Sequence, residues 1–212
     1  IMGVKHGAPR CCIVVYDANA KRVIAELDDV FGFSWSEDGE GVLYSSAVVD
    51  TQNNRNINRV HRFDWQSEVN HTLYVYPDNA VFIGVSPAPK GGCFLGVKVN
   101  YGDTLMLYLN SEGKATRLSS GKGFFEYIGE KNGRCYFSTD ENAPMGHVLS
   151  IAAEDVEREG ALVDGFAVAL AEMDASLESV GLTDEGILAV HSRNACSEMA
   201  LYSFEGKKLR EI

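Results

Sequence analysis

The chain has 212 residues, 45% of them hydrophobic and 23% charged, with 21 glycines and five prolines. That composition belongs to a globular protein and excludes collagen, low-complexity disorder and coiled coil. Thirty acidic against nineteen basic residues leave a net charge of −11, a field that repels phosphate backbones and anionic lipid, so neither nucleic acid nor membrane is an expected partner.

No apolar run approaches the roughly 18 residues that a membrane helix needs. The opening residues, Ile1 to His6, lack the charged start and apolar core of a secretory signal. A soluble, cytoplasmic address is therefore expected. Cys11, Cys12, Cys93, Cys135 and Cys196 show no CxxC spacing, and adjacent Cys11 and Cys12 would point to opposite faces of a strand. All five are expected to be reduced, and mostly buried as small hydrophobes. The triplet Asn70-His71-Thr72 would matter as a glycosylation site only in a secreted protein.

Taken in order, the elements are short strands punctuated by turns. Cys12 to Tyr16 and Arg22 to Leu27 read as the last two strands of a unit whose first half is missing. Phe31 to Ser36 follows, then a turn through Glu37-Asp38-Gly39-Glu40-Gly41, then Val42 to Ser46. Asp-Gly between apolar runs is a strong hairpin signal, because glycine accepts the positive φ that such turns demand. After the Asn-rich loop Asp50 to Asn58 come Arg59 to Trp65 and Thr72 to Tyr76, making four strands in a row. The pattern recurs as Val81 to Ser86, Cys93 to Val99, Thr104 to Leu109 and Ala115 to Leu118. It recurs again as Phe124 to Glu130, Arg134 to Thr139, His147 to Ala152 and Gly160 to Val163. Residues 164–176 have helical leanings and read as a short helix or a connecting strand. The last set is Leu177 to Leu182, Ile187 to Ser192, Glu198 to Phe204 and Lys208 to Ile212.

Unit starts near 31, 81, 124 and 177 have the spacing of four-stranded propeller blades with variable loops. A sandwich or barrel also strings short strands together, but has no reason to repeat the same internal order. Here each unit has a hydrophobic first strand, a glycine turn, an apolar second strand and a third strand ending in a polar turn. Examples of that last turn are Tyr16-Asp17-Ala18-Asn19, Leu109 to Gly113 and Phe204-Glu205-Gly206. The expected fold is all-β, about four to four and a half four-stranded antiparallel propeller blades in one domain or propeller fragment over 1–212. The blades lie approximately at 1–27 (partial), 31–76, 81–118, 124–163 and 177–212.

The pieces resemble the N-terminal β-propeller of the prolyl oligopeptidase family of serine peptidases, with the oligopeptidase B branch as a near neighbour. Phe33-Ser34-Trp35-Ser36-Glu37-Asp38-Gly39-Glu40-Gly41-Val42-Leu43-Tyr44 looks like that family's first strand, turn and second strand. Phe137 to Pro144 followed by Val148-Leu149-Ser150-Ile151 is similar to another of its blades, and Leu177 to Val180 with Leu201 to Ile212 to a third. The resemblance implies a seven-bladed propeller of which this chain is a portion. It also implies a separate α/β-hydrolase catalytic domain as partner and short peptides as substrates. The sequence departs from the family at three places. Phe63 to Ser67 stands where His-x-Leu-Gly-Thr is usual, Lys98 to Tyr101 where a substrate-facing arginine is, and Ser86 to Gly92 where an Asp-Gly turn is. The family's substrate-reading residues therefore do not carry over.

No catalytic residue is expected in this chain. Gly32-Phe33-Ser34 and Gly84-Val85-Ser86 are not completed to Gly-x-Ser-x-Gly, and no βαβ alternation exists to support a nucleophile elbow. His6, His61, His71, His147 and His191 are scattered, with no pair at metal-ligand spacing. Ser119 to Gly123 lacks the rest of a phosphate loop. Asp140-Glu141 and Glu154-Asp155 lack spaced oxygen ligands for calcium. Arg55, Arg59 and Arg62 form the most basic stretch, which reads as a solvated loop. No catalytic, cofactor-binding or metal-ligating residue, and no cofactor, is therefore assigned.

The expected function is a non-catalytic, substrate-gating propeller portion of a cytosolic prolyl oligopeptidase-like endopeptidase acting on short proline-containing peptides. The alternative is a self-standing small propeller that binds proteins through loops such as Asp50 to Asn58 and Asp140 to Gly146. A weaker third reading, a sugar- or lipid-processing propeller enzyme, would use Asp38 or Asp184, which their glycine turns explain more simply.

Overall fold

The computed structural model describes residues 2–4, 12–158 and 165–212. Among these the chain is all-β, and its one helical element is a single 3₁₀ turn at Pro89–Gly91. The strands are β1 Met2–Val4, β2 Cys12–Asp17, β3 Arg22–Asp28, β4 Val30–Trp35, β5 Gly41–Asp50, β6 Arg55–Asp64 and β7 Val69–Val75. They continue as β8 Phe82–Pro87, β9 Cys93–Lys98, β10 Thr104–Leu109, β11 Ala115–Arg117, β12 Phe125–Lys131 and β13 Arg134–Thr139. The last six are β14 His147–Ala152, β15 Ala167–Leu170, β16 Ser176–Leu182, β17 Ile187–Arg193, β18 Cys196–Tyr202 and β19 Lys208–Glu211. They form one three-stranded sheet, β1-β2-β3, and four four-stranded sheets of sequential strands, β4 to β7, β8 to β11, β12 to β15 and β16 to β19. Such sequential antiparallel four-stranded sheets are propeller blades. The chain packs as two compact units, residues 1–101 with 109–115, and residues 102–108 with 116–212.

The second strands show why these sequences become blades. Gly41 to Ser46 of β5 and Cys135 to Thr139 of β13 are buried at every position. A strand buried on both faces reads as a continuous apolar run, and its sheet must be covered from both sides. The turns after the third strands repeat one chemistry. Asp17 Oδ1 accepts the amides of Asn19 and Ala20, and Asp64 Oδ1 those of Gln66 and Ser67. Asn110 Oδ1 accepts Glu112 and Lys114, and Ser203 Oγ accepts Glu205 and Lys207. Each side chain supplies the acceptor its own turn needs, which favours a sharp reversal at the same place in these four sheets.

Two strands fall differently from expectation. The fourth strand expected at Gly160 to Val163 lies outside the described residues, and the fourth strand of that sheet is β15, inside the stretch with helical leanings. Alanine-rich Ala167–Leu170 is drawn into a strand by pairing with β14, Val148 opposite Leu170 and Ser150 opposite Ala167. Backbone hydrogen bonds to a waiting edge outweigh a helix preference of a few tenths of a kcal/mol per residue. The first sheet also has three described strands rather than two, since β1 pairs antiparallel with β2, Met2 opposite Val15. Of the cysteines, Cys12, Cys93 and Cys135 are buried and Cys196 is exposed, while Cys11 lies outside the described residues. Burial pushes the Cys93 thiol up to about 12.

In the first unit β4 and β8 approach closely. Gly32 N–H donates to Ser45 Oγ at 3.1 Å, and the Ser45 hydroxyl donates on to the Ile83 carbonyl, so one side chain ties three strands together. A Cβ on Gly32 would stand 2.9 Å from Ile83 O and 3.2 Å from Gly84 Cα, both backbone atoms that cannot step aside. Gly32→Ala is therefore expected to cost about 1–3 kcal/mol, read as a lower urea midpoint with an unchanged slope.

Candidate functional site

The first strands of the blades carry exposed apolar and acidic side chains, and in the second unit they frame a cleft of about 460 Å³ between β12 and β16. Phe124, Met145 and Leu177 give it an apolar side, and Glu126, Asp140 and Glu178 an acidic one. Its loop, residues 139–146, is built from the stretch that carried part of the family resemblance. Thr139 Oγ1 donates to Phe124 O at 2.6 Å, and Phe124 N–H donates to Asp140 Oδ1 at 2.6 Å. Asn142 turns the loop at φ 62. The far end is pinned to the next blade, because Leu177 N–H donates to Met145 O at 2.7 Å while Met145 N–H donates to Glu172 Oε1 at 2.7 Å. The Thr-Asp pair thus holds a first strand against its own second strand. The cleft's lining offers carboxylates and hydroxyls, without histidine, cysteine or lysine.

In the first unit, Ser46, His61 and Thr72 stand on three neighbouring strands. His61 Nε2 lies 2.8 Å from Ser46 Oγ, and Nδ1 lies 3.2 Å from Thr72 Oγ1. The imidazole stacks on Tyr44 with ring centroids 4.7 Å apart, and Tyr44 in turn accepts a hydrogen bond from Asn70 Nδ2. This resembles a nucleophile and base, but the second nitrogen meets a hydroxyl where a triad needs a carboxylate, and all three strands bury it within the sheet. Burial, reinforced by neighbouring Arg59, lowers the His61 pKa. Its two hydroxyl partners satisfy a neutral ring, and the arrangement is a polar clasp across the blade.

The residues singled out by sequence find local partners. Asp38 accepts from Ser36 Oγ at 2.5 Å and from Arg62 at 2.7 Å. The Ser36 hydrogen bond, then the Arg62 guanidinium, hold its carboxyl down at about 2. Asp184 pairs with Lys131 at 2.6 Å, and Arg55 with Asp50 at 3.5 Å. Ser34 and Ser86 lie on the first strands β4 and β8, and neither strand leads into an α-helix. At the phosphate-loop-like stretch, the Gly123 amide already donates to Asp103 Oδ1 at 2.7 Å. Asp155 pairs with Arg158, and Glu141 accepts the Ser120 amide. His6 lies outside the described residues. His147 Nε2 is buried with no partner among the described residues. Among these residues no group of three or more His, Cys, Asp or Glu side chains is placed to hold a metal, and no helix is long and apolar enough to cross a membrane. The sequence does not single out the cleft residues Glu126 and Glu178, because only the packing of two successive blades brings them together.

No family model matches the sequence, and no curated protein matches it. Solved structures do. A prolyl endopeptidase, from a study of inter-domain dynamics in two such enzymes, superimposes with a TM-score of 0.75 at 16% identity, covering 97% of this chain and 32% of its own. Prolyl oligopeptidase B from Galerina marginata, in its apo form, gives 0.74 at 18% identity, with 100% of this chain and 33% of its own covered. The same enzyme bound to a 25mer macrocyclization substrate gives 0.74 at 17% identity over the same shares. The fold is that of a prolyl oligopeptidase propeller. The chain spans about a third of the length of these proteins.

The propeller's histidines make its stability depend on pH. His61, His147 and His191 all have pKa values lowered by burial; Arg59 adds to this for His61, and Lys208 in part for His191. Glu172 and Glu141 oppose it for His147, and Glu198 for His191. The unfolded chain takes up these protons near pH 6.5 while the folded chain does not, so stability is full above about pH 6.5 and lost as the pH falls towards the depressed folded values. The urea midpoint is expected to drop between pH 8 and pH 5.5, and His61→Gln to flatten that slope. An identical slope in the variant would remove His61 from the account.

Proposed function

We propose that this chain is the non-catalytic, substrate-gating propeller portion of a prolyl oligopeptidase-like cytosolic serine endopeptidase that acts on short proline-containing peptides. The observation that carries this reading is the likeness of the whole chain to a third of such enzymes. The sequence agrees with it in lacking Gly-x-Ser-x-Gly, so the nucleophile, its histidine and its acid would come from an α/β-hydrolase partner domain. The propeller's contribution is then physical. A closed interface keeps water and folded proteins from the reacting centre and admits only short, flexible chains. The acidic side of the cleft between β12 and β16 favours the free amino terminus of a short peptide over its carboxylate.

A fluorogenic Gly-Pro peptide separates this reading from a protein-binding scaffold. The chain alone is expected to give no turnover above buffer. Mixed with a separately expressed hydrolase domain of the family, it is expected to restore turnover or to narrow the range of peptide lengths cleaved. If the hydrolase's rate and length range are the same with and without the chain, the gating reading fails.

A further inference from the structure

The chain's two tryptophans, Trp35 and Trp65, line one groove of about 340 Å³ in the first unit. Its floor is apolar, because Val15 is 2% exposed and Ile24 packs against the same buried cluster. Ile24 is the unpaired residue of a bulge between the pairs Val15–Ala25 and Tyr16–Val23, a device that re-aims a side chain. Trp35 ends β4 and Trp65 directly follows β6, and the register of β4, β5 and β6 puts both at the same end of one sheet. Trp65 is fixed there, since it packs on the cluster while its indole N–H donates to Gly39 O at 3.0 Å. Trp35 is 40% exposed.

Tyr16 and Asp17, at the end of β2, complete the lining's chemistry. The amides of Asn19 and Ala20 both donate to Asp17 Oδ1. The Ala20 hydrogen bond, above all, holds the carboxyl below the usual range, so Asp17 is a carboxylate at neutral pH. Arg22 adds to this, and is itself paired with Glu68 at 3.2 Å. Among the described residues the lining has no lysine, arginine or histidine. Three aromatic rings, whose faces are electron-rich, and one carboxylate thus share a groove that no basic side chain lines. The net charge of −11 adds a field of the same sign. The apolar floor disfavours a strongly hydrated cation and suits one whose charge is wrapped in methyl groups.

We propose that this groove binds a methylated ammonium group, with Trp35, Trp65 and Tyr16 as its aromatic walls and Asp17 as its counter-charge. The ligand's methyl groups meet Val15 and Ile24, and its positive charge is drawn to the ring faces and the carboxylate, the chemistry by which aromatic cages recognise quaternary ammonium ions. Charge, not shape, then selects the ligand over a neutral group of the same size. One wall is set in advance, because the hydrogen bond from Trp65 to Gly39 already orders that indole, which spares part of the ordering cost of binding. The site does not depend on the peptidase reading, since a scaffold with the same blades would carry the same groove, and it is tested by binding alone.

Because both tryptophans line the groove, the chain's intrinsic fluorescence reports on it. Choline, titrated into the chain at constant ionic strength, is expected to change that fluorescence saturably. It should bind at least about fivefold more tightly than its neutral analogue with carbon in place of nitrogen. Trp35→Leu keeps an apolar side chain at an exposed position, so it is expected to weaken choline binding about fivefold or more with an unchanged urea midpoint. Asp17→Asn preserves the turn, since Asn110 accepts amides in the same way in its own turn. It is expected to weaken choline binding by about threefold and to leave the neutral analogue's affinity unchanged. A peptide bearing one trimethyl-lysine distinguishes the source of the ammonium group: binding tighter than choline's assigns it to a polypeptide, and weaker binding to a free small molecule. Equal binding of choline and its neutral analogue, or a choline affinity that neither substitution changes, would overturn the proposal. So would fluorescence that neither choline nor the methylated peptide alters.

Discussion

A strand that is apolar on both faces cannot be left at a surface, and the second strands of this chain impose that constraint on everything around them. Gly41 to Ser46 and Cys135 to Thr139 have no face to give to water. Each such sheet needs a sheet on either side, and the cover must come close enough to exclude water. In the first unit the result is a first strand, β4, running so near β8 that Gly32 has no room for a methyl group. Where cover is lacking, the burial pattern says so. In β17 of the last blade, buried Ile187, Ala189 and His191 alternate with half-buried Leu188, Val190 and Ser192, the pattern of a sheet covered well on one face only.

That constraint is also why the fold class was legible. Runs such as Val42-Leu43-Tyr44 and Cys135-Tyr136-Phe137, each between turn residues, mark doubly covered strands, and their order repeats. Asp38-Gly39 marked its hairpin through glycine, which sits at φ 70 there. Asn132-Gly133, with φ 52 and 69, is an equally good hairpin signal between β12 and β13. Ala167–Leu170 is harder, because alanine carries no strand preference and the deciding partner, β14, ends far back in the sequence at Ala152. The polar clasp was illegible for a related reason. Ser46, His61 and Thr72 look like three unrelated residues until the register of β5, β6 and β7 sets them side by side.

The same distinction separates turn chemistry from site chemistry. Asp17, Asp64 and Asn110 act on amides two to four residues away, so sequence alone places them. Glu126 and Glu178 acquire their shared cleft only when two blades pack. The chain's excess of acid is similarly divided. Exposed pairs such as Arg22–Glu68 at 3.2 Å and Arg210–Glu185 at 2.7 Å contribute little to stability in water. The acids left over set the field that an approaching charged molecule meets.

A second strand covered on both faces also stiffens its blade, because its buried side chains interlock with neighbours on either side. The first strands β12 and β16 differ, since Glu126 and Glu178 stand exposed on them and line the cleft that the two strands share. The buried second strands therefore fix the geometry of that cleft, while the first strands supply its charge.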